Sequence, residues 1–436
     1  MAYKGDVVRI NVAEMLEGAR APVTAECCIY KVPFSIRRHN EEAYTPEVVS
    51  IGPFHHGHPR LQDMENHKLF YSMAFLQRTQ TTLDSFIGKI EEMEPEFRRS
   101  YSHTLEFSKE QLVKIIFVDC AFILELFCRD HDQVLKEDDM CLSIPRLRDS
   151  IAYDLLLLEN QVPFFVLERL FNLSFSSRGV DFPSFLELTF HFCEEFNRSN
   201  LNFNNINRIR HFTDLIRTFH LQDPLPPRTP GKIIEHLPSA TELSEAGLRF
   251  KVLESESCLL KLKFDFSGRV LESEACLLKL DFSERVLEIP QLVVEDGIET
   301  LFRNMVALEQ CHYPFQTYIT DYVGFLDFLV NTNRDVDILV QERVFINWLG
   351  DTDSVATMIN GLMKDITTPN NISSQYLDVS QKLNAFHKNP WRKLKSALRR
   401  DYCRGPWQTA ASTAAVILLI LSFVQTVCSI LQVIHQ

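Results

Sequence analysis

Glycine is scarce in this chain, at 14 of 436 residues. No G-x-x-x-x-G-K-[ST] loop, G-x-G-x-x-G, G-x-S-x-G or H-E-x-x-H stretch occurs. The sequence therefore offers no phosphate cradle, no nucleophile elbow and no zincin helix. Tryptophan is rarer still, at three residues against 33 phenylalanines, so Phe is expected to fill the core. The 11 cysteines, an odd number, include no C-x-x-C pair, which removes support for a zinc ribbon or a thioredoxin motif. Several sit in apolar runs, such as Cys120 in FVDCAFILELF, and read as buried thiols in a reducing compartment. The N-terminal MAYKGDVVRINVAEML has no apolar signal core, so the sequons at Asn172, Asn197 and Asn371 are expected to stay unmodified. Positive charge is also short. The net charge of −13 argues against non-specific nucleic-acid binding.

Most of the chain reads as helix. Residues 1–27 are expected to be loosely ordered, followed by one large domain over 28–387. Within it, 60–220 is read as helical, and LVKIIFVDCAFILELFC (112–128), apolar nearly all round, as a central buried helix. Asp119 and Glu125 interrupt that helix and are either exposed or paired. Pro163 divides DLLLLENQVPFFVLERLF, so one helix is expected to end near Glu159 and another to begin at Pro163. Residues 221–238, with five prolines, read as an extended linker. The stretch 248–295 carries an 18-residue duplication, VLESESCLLKL at 252 and VLESEACLLKL at 270, with strand-like alternation. It is expected to lengthen a hairpin. Residues 297–387 are helical again, with Gly350 as a helix stop and Asp351 or Asp353 as the next N-cap.

The chain ends with a sharp change of charge. Residues 388–408 form a basic segment in which Lys388, Arg392, Lys393, Lys395, Arg399, Arg400 and Arg404 face Asp401 alone, leaving −19 on residues 1–387. Residues 409–434 then carry no formal charge. A helix of that length rises roughly 39 Å, against a hydrocarbon core of about 30 Å. A transmembrane tail anchor is expected, with the basic segment holding the bulk of the chain at the cytoplasmic face. Ser422, Gln425, Ser429 and Gln432 share one stripe of that helix, so the span is expected to pair with itself or with another span. The expected fold class is mainly α: a large helical domain with a small inserted antiparallel β element, then one C-terminal transmembrane helix.

Candidate chemistry is sparse. His55, His56 and His58, with His67 nearby, are dense enough to raise metal binding. Adjacent imidazoles on one loop rarely converge on an ion, so they read as a turn. The acidic KEDDMC (136–141) reads as a solvated loop, and Glu159 and Asn160 as helix caps. No catalytic, cofactor or metal residue is assigned.

Taken in series, IYKVPFSIR, SIGPFHHG with LQDMENHK, FVDCAFILELF, DLLLLENQVPFFVLERL, LPSATELSEAG, LEIPQLVVED, FRNMVALEQC, DYVGFLDFLVNT and INWLGD resemble the plant-specific family called domain of unknown function 247. The chain departs from that pattern in its duplication and at Glu342-Arg343, where the family usually has a Gly turn. The resemblance implies a plant membrane-associated protein with a largely helical domain and no established enzymatic activity. Some grass relatives are implicated as pollen-side determinants of self-incompatibility, which implies a recognition role. The expected function is thus a membrane-anchored protein-recognition module with an unknown partner and the duplicated hairpin as a contact element. The alternative is an enzyme of unrecognised class, with a cleft around the His55–His58 loop, Asp119 and Glu159.

Overall fold

The 23-residue helix Lys109–His131 organises the molecule. Ser108 and Gln111 close a reciprocal capping box at its start, and apolar side chains cover it nearly all round. In the computed structural model, helices Gln62–Thr79, Leu83–Arg99, Phe164–Phe175 and Phe185–Phe192 all pack on it. The structure describes residues 26–388 apart from 176–181, 198, 207, 222–223, 254–259, 261, 266–284 and 369. Beyond 388 it describes residue 414 and residues 417–427.

The abundance of phenylalanine is explained here. The Phe127 ring lies 4.5 Å from that of Phe192, 5.7 Å from Phe212 and 6.0 Å from Phe185. Phe171, Phe175 and Phe182 continue the cluster. Such offset and edge contacts add to an area term of roughly 2–3 kcal/mol per buried ring.

The second half is built round helix Asp296–His312, which packs on Phe212–His220, Tyr318–Leu329 and Thr352–Leu362. One contiguous apolar cluster runs from Cys28 to Phe386, so both halves share a core. Among the described residues, three small sheets lie in this half. Arg228–Pro230 pairs antiparallel with Asn371–Ser373, and Leu292–Val294 pairs parallel with Phe345–Asn347. Arg285–Ile289 lies between Leu248–Val252, which is parallel to it, and Lys263–Asp265, which is antiparallel.

Several expectations change. The β element is mixed, because strands 248–252 and 285–289 run the same way on either side of the duplicated stretch. Most of the second repeat copy lies outside the described residues. The proline-rich 221–238 segment contributes strand 228–230 to a sheet. The helix expected to end near Glu159 is Pro145–Asp154, five residues shorter, because 154–161 carries side chains committed elsewhere. Asp351 caps helix Thr352–Leu362 as expected, accepting the Ser354 N–H at 2.6 Å, and Gly350 before it has φ +95°.

The largest correction concerns the tail. No helix among the described residues is long and apolar enough to cross a membrane. Of 409–434, the structure describes residue 414 and a helical stretch over 417–427. The absence of charge over 409–434 is thus not matched by a membrane-crossing helix among the described residues. The C-terminal transmembrane helix, the single-pass tail anchor, the membrane as partner, pairing of the span and the cytoplasmic placement drawn from it therefore fall. Ser422 and Gln425 lie on the described stretch. Ser429, Gln432, Arg392, Lys393, Lys395, Arg399, Arg400 and Arg404 lie outside the described residues.

Arg343, at the departure from the Gly turn, has φ +59°. A side chain costs roughly 1 kcal/mol in that region, where glycine is free. Arg343→Gly should therefore raise unfolding stability by about 0.5–1 kcal/mol in chemical denaturation, less than the full cost because glycine also loosens the unfolded chain. A lower midpoint would contradict the strain assigned to this turn.

Candidate functional site

Residues 47–58 run through the protein without regular structure, yet Val49 to Pro53 are buried. Their amides must find partners other than a helix or sheet. Asp154 Oδ1 accepts the N–H of Glu47 at 2.8 Å, and Oδ2 those of Val48 and Val49 at 2.7 and 2.8 Å. Asn160 Oδ1 accepts the Ile51 N–H at 2.7 Å, while its Nδ2 donates to the carbonyls of Val49 and Asp154. Asp119 Oδ2 accepts the Gly52 N–H at 2.7 Å. Burial pushes the Asp154 carboxyl up to about 7, against the pull of its three N–H bonds.

Gly52 is fixed by geometry. Its φ is +74°, and a Cβ there would lie 2.3 Å from the Gln161 carbonyl oxygen. Tyr101 donates its hydroxyl to that same oxygen at 2.8 Å. Beneath the loop, Lys68 Nζ meets Asp119 Oδ1 and Glu65 Oε1, each at 2.6 Å, and the Ser50 carbonyl at 2.8 Å. Burial raises the Asp119 pKa, with the Lys68 ammonium pulling back.

Glu159 joins this loop to the chain's start. Burial acts to raise its pKa, but His55 and Arg37, with the Val32 N–H, hold it below the usual range. Val32 donates at 2.7 Å, Arg37 at 2.7 Å, and His55 Nε2 lies 3.4 Å away. Glu159 and Asn160 thus pin loops rather than cap helices. The residues considered for a catalytic cleft are brought to one loop in two pairs, His55 with Glu159 and His56 with Asp119. His55 faces Glu159, and the exposed His56 lines a groove of about 330 Å³ with Glu65, Phe107, Gln111, Lys114 and Asp119. His58 accepts the Arg60 N–H at 3.4 Å, opening the turn Pro59–Leu61. The three imidazoles diverge. Each carboxylate oxygen of Asp119 and of Glu159 accepts a hydrogen bond.

Two features were not anticipated from sequence. One is a buried cluster between the halves. Arg217 donates to Glu309 at 2.9 Å and lies 4.1 Å from the Tyr313 ring; Tyr313 donates to Asp214. No spacing links residues almost a hundred positions apart. The other is a surface face. Leu69, Phe70 and Met73 on the Gln62–Thr79 helix are 51%, 57% and 60% exposed. Met140, which is 50% exposed, directly follows Asp139, a partner of Arg129. The Arg129 guanidinium lies 5.7 Å from the Phe70 ring and bonds Asp139 at 2.9 Å. A surplus of apolar residues, more than one buried stripe needs, was the available signal in this helix.

A family model described as a plant protein of unknown function, domain of unknown function 247, matches residues 29–421. The chain belongs to that family. It is 29% identical over 444 residues to a UPF0481 protein of Arabidopsis thaliana, covering 94% of this chain and 87% of the relative. It is 23% identical over 511 residues to a second UPF0481 protein of the same plant, covering 95% and 92%. No solved structure matches. In this domain 247 member, the family-like stretches SIGPFHHG and LLLLENQVPFF are the two sides of the pinned loop.

Two predictions follow from the buried charges. Lys68→Met alone leaves Asp119 buried and unpaired, and should cost about 3–5 kcal/mol in denaturant unfolding. Lys68→Met with Asp119→Leu should recover part of that loss; an additive loss would deny the coupling. His211 donates Nε2–H to the Cys28 carbonyl at 3.0 Å and accepts the Asp214 N–H at Nδ1 at 3.4 Å. A second proton has no acceptor there, and burial lowers the imidazole to about 4 from 6.5. A lowered folded value gives stability that is present above 6.5 and lost as pH falls towards 4. The loss is about 3 kcal/mol. Denaturation midpoints should fall over that window, and less so in His211→Gln; identical profiles would contradict the assignment.

Proposed function

We propose that this domain 247 protein is a recognition module that binds a protein partner through the face built from Leu69, Phe70, Met73 and Met140. The observation that carries this reading is the exposure of Leu69, Phe70 and Met73 on adjacent turns of one helix, with Met140 exposed next to Asp139, which the Tyr71 hydroxyl of that helix bonds. Apolar residues exposed singly are ordinary, whereas a grouped set on a rigid helix marks an interaction face. The helix is held from behind by Lys68, Ser72 and Phe75, all buried, so the face is presented without an ordering cost. The pinned 47–58 loop supports the same reading. The carboxylates and amide around it, Asp154, Asn160, Asp119 and Glu159, are taken up in structural bonds to backbone and paired cations.

Affinity capture from plant cells should compare the wild-type chain with Phe70→Ser/Met73→Ser. Both side chains are exposed, so the variant should unfold within about 0.5 kcal/mol of wild type. Proteins that co-purify with the wild type should fall about tenfold or more with the variant, as expected when central apolar anchors are lost. An unchanged set captured by an equally stable variant would overturn the proposal.

A further inference from the structure

Three exposed carboxylates lie close to the apolar face along the chain. Asp63 lies on the same stripe of the helix as Phe70, seven residues back, or about 10 Å along the axis. Glu137 and Asp138 directly precede Asp139, whose carboxylate accepts the Tyr71 hydroxyl at 2.5 Å beside Phe70. Asp63, Glu137 and Asp138 are exposed. Two nearby cations are paired. Arg129 is held by Glu125 at 2.8 Å and Asp139 at 2.9 Å, and Lys136 by the buried Asp130 at 2.8 Å. What faces solvent is an apolar strip with a carboxylate border.

We infer that the occupant of this face is a cationic amphipathic helix from a partner protein. It would place Leu, Phe or Met at i, i+3, i+4 and i+7 over Leu69, Phe70, Met73 and Met140, and Lys or Arg along its edges over Asp63, Glu137 and Asp138. This rests on the recognition reading above and adds the chemistry of the partner. An anionic or neutral helix would lose the border contacts, and an anionic one would be repelled. The exposed helix of the domain supplies the apolar contacts, and the border supplies sign discrimination and encounter rate.

The test uses the full-length chain and three synthetic peptides. The first is a 14-residue Leu/Lys helix with leucines at i, i+3, i+4 and i+7. The second carries Glu in place of every Lys, and the third has the sequence of residues 391–404. Calorimetry should show the Leu/Lys peptide binding in the micromolar range and the Leu/Glu peptide at least about tenfold weaker. Phe70→Ser/Met73→Ser should weaken the Leu/Lys peptide by about tenfold or more. Asp63→Asn/Glu137→Gln/Asp138→Asn should weaken it several-fold and reduce its salt dependence. Equal binding of both charge types, or binding indifferent to both variants, would overturn the inference. Tighter binding of the 391–404 peptide, lost in both variants, would also overturn it by assigning the face to this chain's own segment. A concentration-dependent dimer lost in Phe70→Ser/Met73→Ser would overturn it in favour of a second copy. If no peptide binds while cellular capture still depends on Phe70 and Met73, the partner chemistry fails and the recognition face stands.

Discussion

The structure depends on the capture of irregular backbone by buried side chains. An amide removed from water without a partner costs about as much as a lost hydrogen bond, and often more. The stretch from Glu47 to Gly52 has no ladder to join. Asp154, Asn160 and Asp119 take its N–H groups, while Lys68 and Asn160 take the carbonyls of Ser50 and Val49. These partners come from three separate helical or turn segments. Fixing the loop therefore fixes those segments against one another, and the central helix cannot shift without stranding the Gly52 amide.

The second half reaches the same solution with other residues. Glu309 accepts the N–H groups of Ile319 and Thr320, the Thr320 hydroxyl and the Arg217 guanidinium. Asp335 takes the amides of Asn331, Thr332 and Thr241. Asp321 takes that of Ser373 and sits 3.2 Å from Arg228. Each carboxylate ties a loop to a helix; Glu309 and Asp335 are fully buried and Asp321 partly so. Part of the chain's acidic surplus is thus structural. A buried carboxylate with every lone pair engaged is a poor general base, because releasing it would open the loop it holds.

Elements that depend on local pattern were legible in the sequence. The apolar run 112–128 became the central helix and Asp351 the cap of Thr352–Leu362, whereas Gly350 follows strand Phe345–Asn347 and ends no helix. Arg343 was marked as a departure from a Gly turn and proved to have positive φ. What was not legible depends on distance. Asp119 could be exposed or paired; Lys68, 51 positions earlier, decides it. Glu159 and Asn160 have the composition of helix caps, and only the arrival of residues 32 and 51 makes them loop anchors. The tail shows the opposite limit. An absence of charge fixes no helix length, and the inferred span went beyond what the pattern alone determined. The parallel pairing of 248–252 with 285–289 was hidden because alternation gives strand faces and not strand direction.

The position of the exposed face follows from the same packing. The Gln62–Thr79 helix turns Lys68 and Ser72 inward, to Asp119 and to the Val118 carbonyl, and places Phe75 against Phe86 and Phe175. With that side committed, Leu69, Phe70 and Met73 can only point outward. Rotating the helix to hide them would break the Lys68–Asp119 pair and leave the Ser50 carbonyl without its donor, a cost of several kcal/mol against roughly 1 kcal/mol gained per partly buried side chain. The exposure is therefore imposed by the interior. Relief of it must come from another surface, and the carboxylates at the border set the sign of charge that such a surface would carry.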